Sequence, residues 1–163
     1  MRAEVGLLSR NIIIQGDELR WGGQLYVAEW LNSTSDVLYS AKVLMKNVEL
    51  RKMSQFDTFN AAVRAVNLKA NAFQMQQCSI HSAEGLGMYI TNSKGVQVKD
   101  TIFYKTHRNA IVVRGSEDLL LKDNLIMNNK PRQWDSSVKG KDFQVAVDIC
   151  VGEEVIACKN FKV

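Results

Sequence analysis

The stretch QQCSIHSAEGLGMYITNSKGVQV, residues 76–98, is followed at once by KDTIFYKTHRNAIVVRGSEDLLL, residues 99–121, and the two align without a gap at a spacing of 23. Cys78 falls on Thr101, Ile80 on Phe103, Met88 on Ile111, Ile90 on Val113, Val96 on Leu119 and Val98 on Leu121. A third copy starts in the same register with Lys122, Asp123, Asn124, Leu125 and Ile126. Short apolar triplets that recur every twenty-odd residues, with Gly, Asn, Ser and Asp between them, mark a solenoid.

Working outward, the same apolar triplets occur at residues 12–14, 43–45, 73–75 and 161–163. After most of the triplets, three residues on, comes a second short strand, as at residues 48–50, 78–80, 101–103 and 124–126. Period-two alternation puts the first and third residue of each triplet on one face, and a helical 3.6 spacing is not held. The expected fold is all-β, a right-handed single-stranded parallel β-helix with coils of about 23 residues. Equivalent residues of successive coils then stack about 4.8 Å apart. Val48, Cys78, Thr101 and Asn124 form one such column, a broken ladder of small and polar side chains inside a turn. Cys78 reads there as a small buried residue. The whole chain, 1–163, is expected to be one segment of a longer solenoid, with insertions at 17–36, 51–60 and 128–141 that carry Trp21, Trp30 and Trp134. The residues before Ile12 are expected to enter its strand directly, and the final triplet reads as the start of a further coil.

An apolar fraction of 46% is ample for a core, and 21 basic against 17 acidic residues is too mild a balance to argue for nucleic acid. No run is long enough for a membrane-spanning helix, so no membrane contact is expected of this segment, and residues 1–10 lack the apolar centre and cleavage site of a signal peptide. Cys78, Cys150 and Cys158 have no zinc spacing, and no cofactor motif is present. Cys150 and Cys158 are close enough in sequence for a local disulfide; two separate buried thiols are the other reading. Asn32 heads the sequon Asn32-Ser33-Thr34 and is a candidate glycosylation site.

Stacking at 23 residues tests each candidate for chemistry. Asp100 lies over Asp123, with Gln77 and Asn47 before them, and two such carboxylates could share a proton or a cation. Each precedes a turn, where Asp also caps backbone. Glu84 lies over His107, a candidate acid–base corner, whereas His81 aligns with Tyr104 and is offset from His107. The tryptophans either pack onto the coil or stack on sugar rings.

The opening AEVGLLSRNIIIQGD, the Trp-Gly-Gly loop, LYSAKVLMKNVEL, and then Cys78-Ser79-Ile80-His81 with residues 109–124 resemble the β-helix of the fibrocystin and fibrocystin-L family over roughly residues 3–129. The same helix occurs in the cell-surface hyaluronidase and the cell-migration-inducing hyaluronan-binding protein. The resemblance implies a segment of a large extracellular or cell-surface protein, ciliary in the fibrocystin branch, with a non-catalytic structural or adhesive role. Its partners would be continuing coils of the same β-helix or neighbouring chains in a surface assembly. The alternatives are a polysaccharide-active, hyaluronidase-like segment using Glu84, His107, Asp100 and Asp123, and a carbohydrate-binding solenoid using Trp21, Trp30 and Trp134.

Overall fold

A computed structural model of the chain describes residues 6–18, 20–56, 58–129, 147–149 and 159–162. It is a parallel β-helix of five coils with three strands each. The first coil contributes β1 (Ile12–Gln15) and β2 (Leu25–Ala28), carries a hairpin of β3 (Trp30–Asn32) and β4 (Val37–Tyr39), and ends in β5 (Val43–Lys46). The second holds β6 (Val48–Arg51), β7 (Val63–Val66) and β8 (Phe73–Gln76), and the third β9 (Ser79–Ala83), β10 (Met88–Thr91) and β11 (Gln97–Lys99). The fourth holds β12 (Ile102–Thr106), β13 (Ile111–Arg114) and β14 (Glu117–Lys122), and the fifth β15 (Leu125–Met127), β16 (Val147–Ile149) and β17 (Lys159–Lys162).

Strands of equal rank pair in parallel into three five-stranded sheets: β1-β6-β9-β12-β15, β2-β7-β10-β13-β16 and β5-β8-β11-β14-β17. The observed register joins Ile80 to Phe103, Met88 to Ile111 and Val98 to Leu121, which is the 23-residue alignment. Phe161 pairs with Leu119, so the last triplet is the closing strand of the fifth coil and not the start of a further one.

The segment 17–36 is not wholly an insertion. Leu25–Ala28 is a coil strand paired with β7, and only the antiparallel hairpin β3–β4 projects from the coil. Residue Arg51 likewise belongs to β6, leaving 52–60 as the lengthened corner. Gly22 sits against that corner so closely that a Cβ would lie 2.2 Å from the Lys52 carbonyl oxygen, which is why the Trp-Gly-Gly loop can pack there. Most of the insertion at 128–141 lies outside the described residues, as do Trp134, Cys150 and Cys158.

Inward residues from the three sheets fill one continuous core, with Leu50, Phe73, Met75, Ile80, Met88, Ile90 and Phe103 at 0–1% exposure. The corners are set by columns of left-handed residues. Asn47, Gln77, Asp100 and Asp123 form one column, Lys52, Ser82, Lys105 and Asn128 another, and Asn67, Asn92 and Gly115 a third, all with φ from 47° to 55°. Asn, Asp and Gly tolerate this region, whereas Lys does so only at a steric cost. Lys52→Gly is therefore expected to raise stability by about 0.5 kcal/mol, the relief of strain slightly exceeding the added freedom of the unfolded chain. The check is a higher urea midpoint at unchanged slope.

Several buried polar groups at the corners are satisfied along the stack. The Thr101 N–H donates to Asn124 Oδ1 at 3.0 Å, and Asn124 Nδ2 donates to the Val98 carbonyl at 2.9 Å. The Ser93 N–H donates to Ser116 Oγ at 3.0 Å, and the Leu68 N–H to Ser93 Oγ at 3.1 Å. Such bonds lock one coil to the next in register.

Residues 6–11 do not run straight into β1 from above the stack. They form a strap along the outer face of the first sheet. Gly6 lies against Ile102, Leu125 and Met127 of the fourth and fifth coils. Farther along, the Leu8 carbonyl accepts a bond from Ser79 Oγ, and Arg10 Nε donates to the Gln77 carbonyl at 2.6 Å. The chain then turns into β1 in the first coil.

Candidate functional site

The columns read as candidate chemistry occupy separate corners. Asp100 and Asp123 are left-handed residues on the turns that lead into β12 and β15. Glu84 and His107 lie just beyond the other ends of β9 and β12, with His107 Nε2 3.8 Å from Glu84 Oε1. A five-residue strand lies between the two corners, a separation of roughly 16 Å. Paired carboxylates that cleave a glycosidic bond stand about 5–9.5 Å apart, so these two sites do not converge on one bond. Among the described residues, no group of three or more His, Cys, Asp or Glu is arranged to hold a metal ion.

The strap creates a cluster that spacing by 23 does not disclose. Glu49 points outward from β6 yet is 3% exposed, because the strap covers it. Its Oε1 accepts from His81 Nε2 at 3.1 Å and from Arg51 Nη1 at 3.3 Å, and its Oε2 accepts the Arg10 N–H at 3.3 Å. Arg51 Nε also donates to Gln15 Oε1 at 2.6 Å, and His81 Nδ1 lies 3.2 Å from Ser82 Oγ. The coil before Cys78 is 30 residues long, so Arg51 rather than a residue 23 positions back pairs with His81. A carboxylate with three donors is satisfied as a buried anchor. Beside it, a shallow hollow of about 400 Å³ is lined by Leu7, Ser9, Arg10, Asn11, Asn47 and Gln77.

A second group missed in the sequence lies on the outer face of the second sheet. The Arg64 guanidinium sits 5.6 Å from the ring centres of both Tyr26 and Tyr89, its neighbours across β2-β7-β10. Phe59, from the corner loop, packs on Tyr89 at 6.2 Å, and Arg108 lies 5.4 Å over Phe59. The result is a strip of rings and cations along that face. Parallel register makes it, since Arg64 opposes Tyr26 and Tyr89 only when the second coil is correctly counted.

Trp21 is 71% exposed beside the lengthened corner, and Trp30 is 61% exposed on the hairpin, stacked on Tyr39 at 5.6 Å and 23° between planes. Asn32 ends β3, and its Oδ1 accepts the Thr34 N–H at 3.0 Å. Cys78 is wholly buried, and burial pushes its thiol above the ordinary value, against weaker lowering by backbone bonds to Val48 and Gln76. It should therefore remain a protonated thiol at neutral pH and resist alkylation in the native chain, reacting only on unfolding. Mass spectrometry of iodoacetamide-treated native and urea-unfolded protein checks this.

A stack of three-stranded coils with polar ladders at its corners defines a β-helix, and residues 26–149 match the family model "Right handed beta helix region". The chain belongs to that family. It is similar to fibrocystin from Mus musculus, 26% identical over 157 residues, and to fibrocystin from Canis lupus familiaris, 28% identical over 158 residues. Each alignment covers 96% of this chain and 4% of the relative, so the chain spans a small part of the curated relatives it matches. No solved structure matches it.

Proposed function

We propose that the chain is a non-catalytic structural and adhesive segment of a large fibrocystin-like protein of the cell surface, cilia included. The observation that supports this most is where the polar groups go. The Asp100/Asp123 column turns corners, Glu49 anchors the strap, and Glu84 and His107 stand apart from both. The stack is then a stiff rod that holds its corner loops and hairpin at fixed spacing for partners in a surface assembly.

The extracellular part of this reading is supported by the fibrocystin similarity and by the sequon at the hairpin turn, where Asn32 is half-buried and Ser33 and Thr34 are exposed. A glycan on Asn32 would sit at the end of the projecting hairpin. Secretion from a glycosylating cell should yield a product whose mass falls on enzymatic deglycosylation, with no such fall for Asn32→Gln.

One observation favours a second reading, a carbohydrate-binding solenoid. Tyr26, Arg64, Tyr89, Phe59 and Arg108 offer rings and cations along one outer face, the surface that an anionic sugar chain would need. The two readings separate experimentally. The purified chain is incubated with anionic and neutral polysaccharides, and both retention and new chain ends are measured. The structural reading expects neither. Retention lost in Arg64→Ala together with Arg108→Ala would favour the solenoid that binds sugar. Turnover abolished by Glu84→Gln or Asp100→Asn would overturn both and favour the polysaccharide-active alternative.

A further inference from the structure

Arg114 and Arg64 stand on the same outer face of the second sheet and are met in opposite ways. Arg114 grips the Asp148 carboxylate of the next coil with two bonds, 3.0 and 2.7 Å long. Arg64 is held by the Tyr26 and Tyr89 rings, 5.6 Å from each, and its buried Nε has no hydrogen-bond partner. Arg108, 5.4 Å over Phe59, donates to the Thr58 carbonyl at 3.3 Å. The carboxylates of Glu29, Glu84 and Asp148 are engaged by Lys69, His107 and Arg114. Among the described residues, Arg64 and Arg108 thus have no acid partner. A buried donor left unbonded in a folded protein calls for an explanation, and a guanidinium fork is made for a carboxylate.

The rest of the face has the make-up of a protein contact. Tyr26 and Phe59 are 55% and 63% exposed, while Arg64 and Tyr89 are half-buried. Tyr and Arg are among the residue types that carry most of the binding energy where proteins meet. Tyr26, Arg64 and Tyr89 sit on paired strands, so little side-chain freedom remains to be lost on binding. We propose that this strip is the adhesive contact of the rod and binds an extended acidic segment of a neighbouring polypeptide, whose carboxylates pair with Arg64 and Arg108. The proposal rests on the adhesive reading given above and supplies the chemistry of the partner. An extended peptide advances about 3.3 Å per residue, so a run of about five acidic residues reaches from one arginine to the other. Tyr26, Tyr89 and Phe59 each already have a guanidinium over the ring. A stacking sugar must displace that cation or take the far face, whereas a carboxylate meets the edge of the guanidinium.

The test titrates the 163-residue chain into a fluorescein-labelled oligoglutamate peptide and follows anisotropy at physiological salt. Labelled oligoglutamine and labelled alginate, a polysaccharide rich in carboxylates, are the comparison probes. The chain should bind oligoglutamate and neither of the others. Arg64→Ala should weaken binding at least about tenfold. Arg64→Lys keeps the charge but lacks the planar fork, and should lose most of the binding too. Arg108→Ala gives an independent reading should the urea midpoint show that Arg64→Ala disturbs the stack. Lys99→Ala with Lys122→Ala removes charge from the third sheet instead, and should change affinity less than about twofold. An equal loss in this lysine pair would overturn the proposal, since net charge alone would then explain binding. Alginate held as tightly as oligoglutamate would also overturn it, in favour of the solenoid that binds sugar. Binding of no probe would overturn it as well, yet leave the stiff-rod reading standing. Failure of that reading is seen separately, as new polysaccharide chain ends.

Discussion

Phe103→Ala is expected to cost about 3–5 kcal/mol, the largest effect of any single truncation in the stack. Phe103 is fully buried in the fourth coil, where it pairs in register with Ile80 of the third coil and Ile126 of the fifth. Its ring also lies 3.1 Å from where a Cβ would stand on Gly87, so the backbone of the third corner has closed onto it. A β-helix core is a narrow column bounded by paired strands. Neighbouring coils cannot collapse into a cavity without breaking the ladders that hold them. The loss should therefore sit at the upper end of the range for buried aromatics. Urea unfolding followed by circular dichroism checks it, and a loss below about 2 kcal/mol would mean that the coils relax more than their pairing implies.

Glu49→Ala is expected to cost about 3 kcal/mol, with a pattern distinct from the first. The carboxylate accepts from His81, Arg51 and the Arg10 N–H under the strap. Removing it strands these donors where water enters poorly, while the core behind β6 keeps its packing. Damage should begin locally. Amides of residues 6–11 should exchange much faster and trypsin should cleave after Arg10, before the coils lose any protection. Glu49→Gln retains an acceptor oxygen and should restore part of the strap's protection. Loss of the whole stack together with the strap in Glu49→Ala would show that the strap is integral to coil formation.

Much of this architecture was legible because two coils have the same length. An unbroken 23-residue period turns sequence alignment into strand register, so the third and fourth coils, the column through Cys78 and Thr101, and the left-handed corner at Asp100 could be placed residue by residue. Where loops change the coil length, that ruler fails. The strands β2, β7 and β16 sit beside insertions, so no fixed spacing announces them. The Tyr26–Arg64–Tyr89 strip and the Glu49–His81 contact cross coils of 36 and 30 residues, counted from Ile12 to Val48 and from Val48 to Cys78. The strap has no repeat partner at all. Its contacts join Leu8 to Ser79, a separation of 71 residues, and Gly6 to residues farther along still, Ile102, Leu125 and Met127. Local patterning carries no signal for such a contact.

That long separation bears on the order in which the molecule is made. Residues 6–11 leave the ribosome early, yet the side chains that receive Gly6 belong to Ile102, Leu125 and Met127. At about 5–20 residues per second, the opening segment must wait several seconds or more for its seat to be synthesised. The coils can stack one upon another as they emerge, while the first-made residues close over them last.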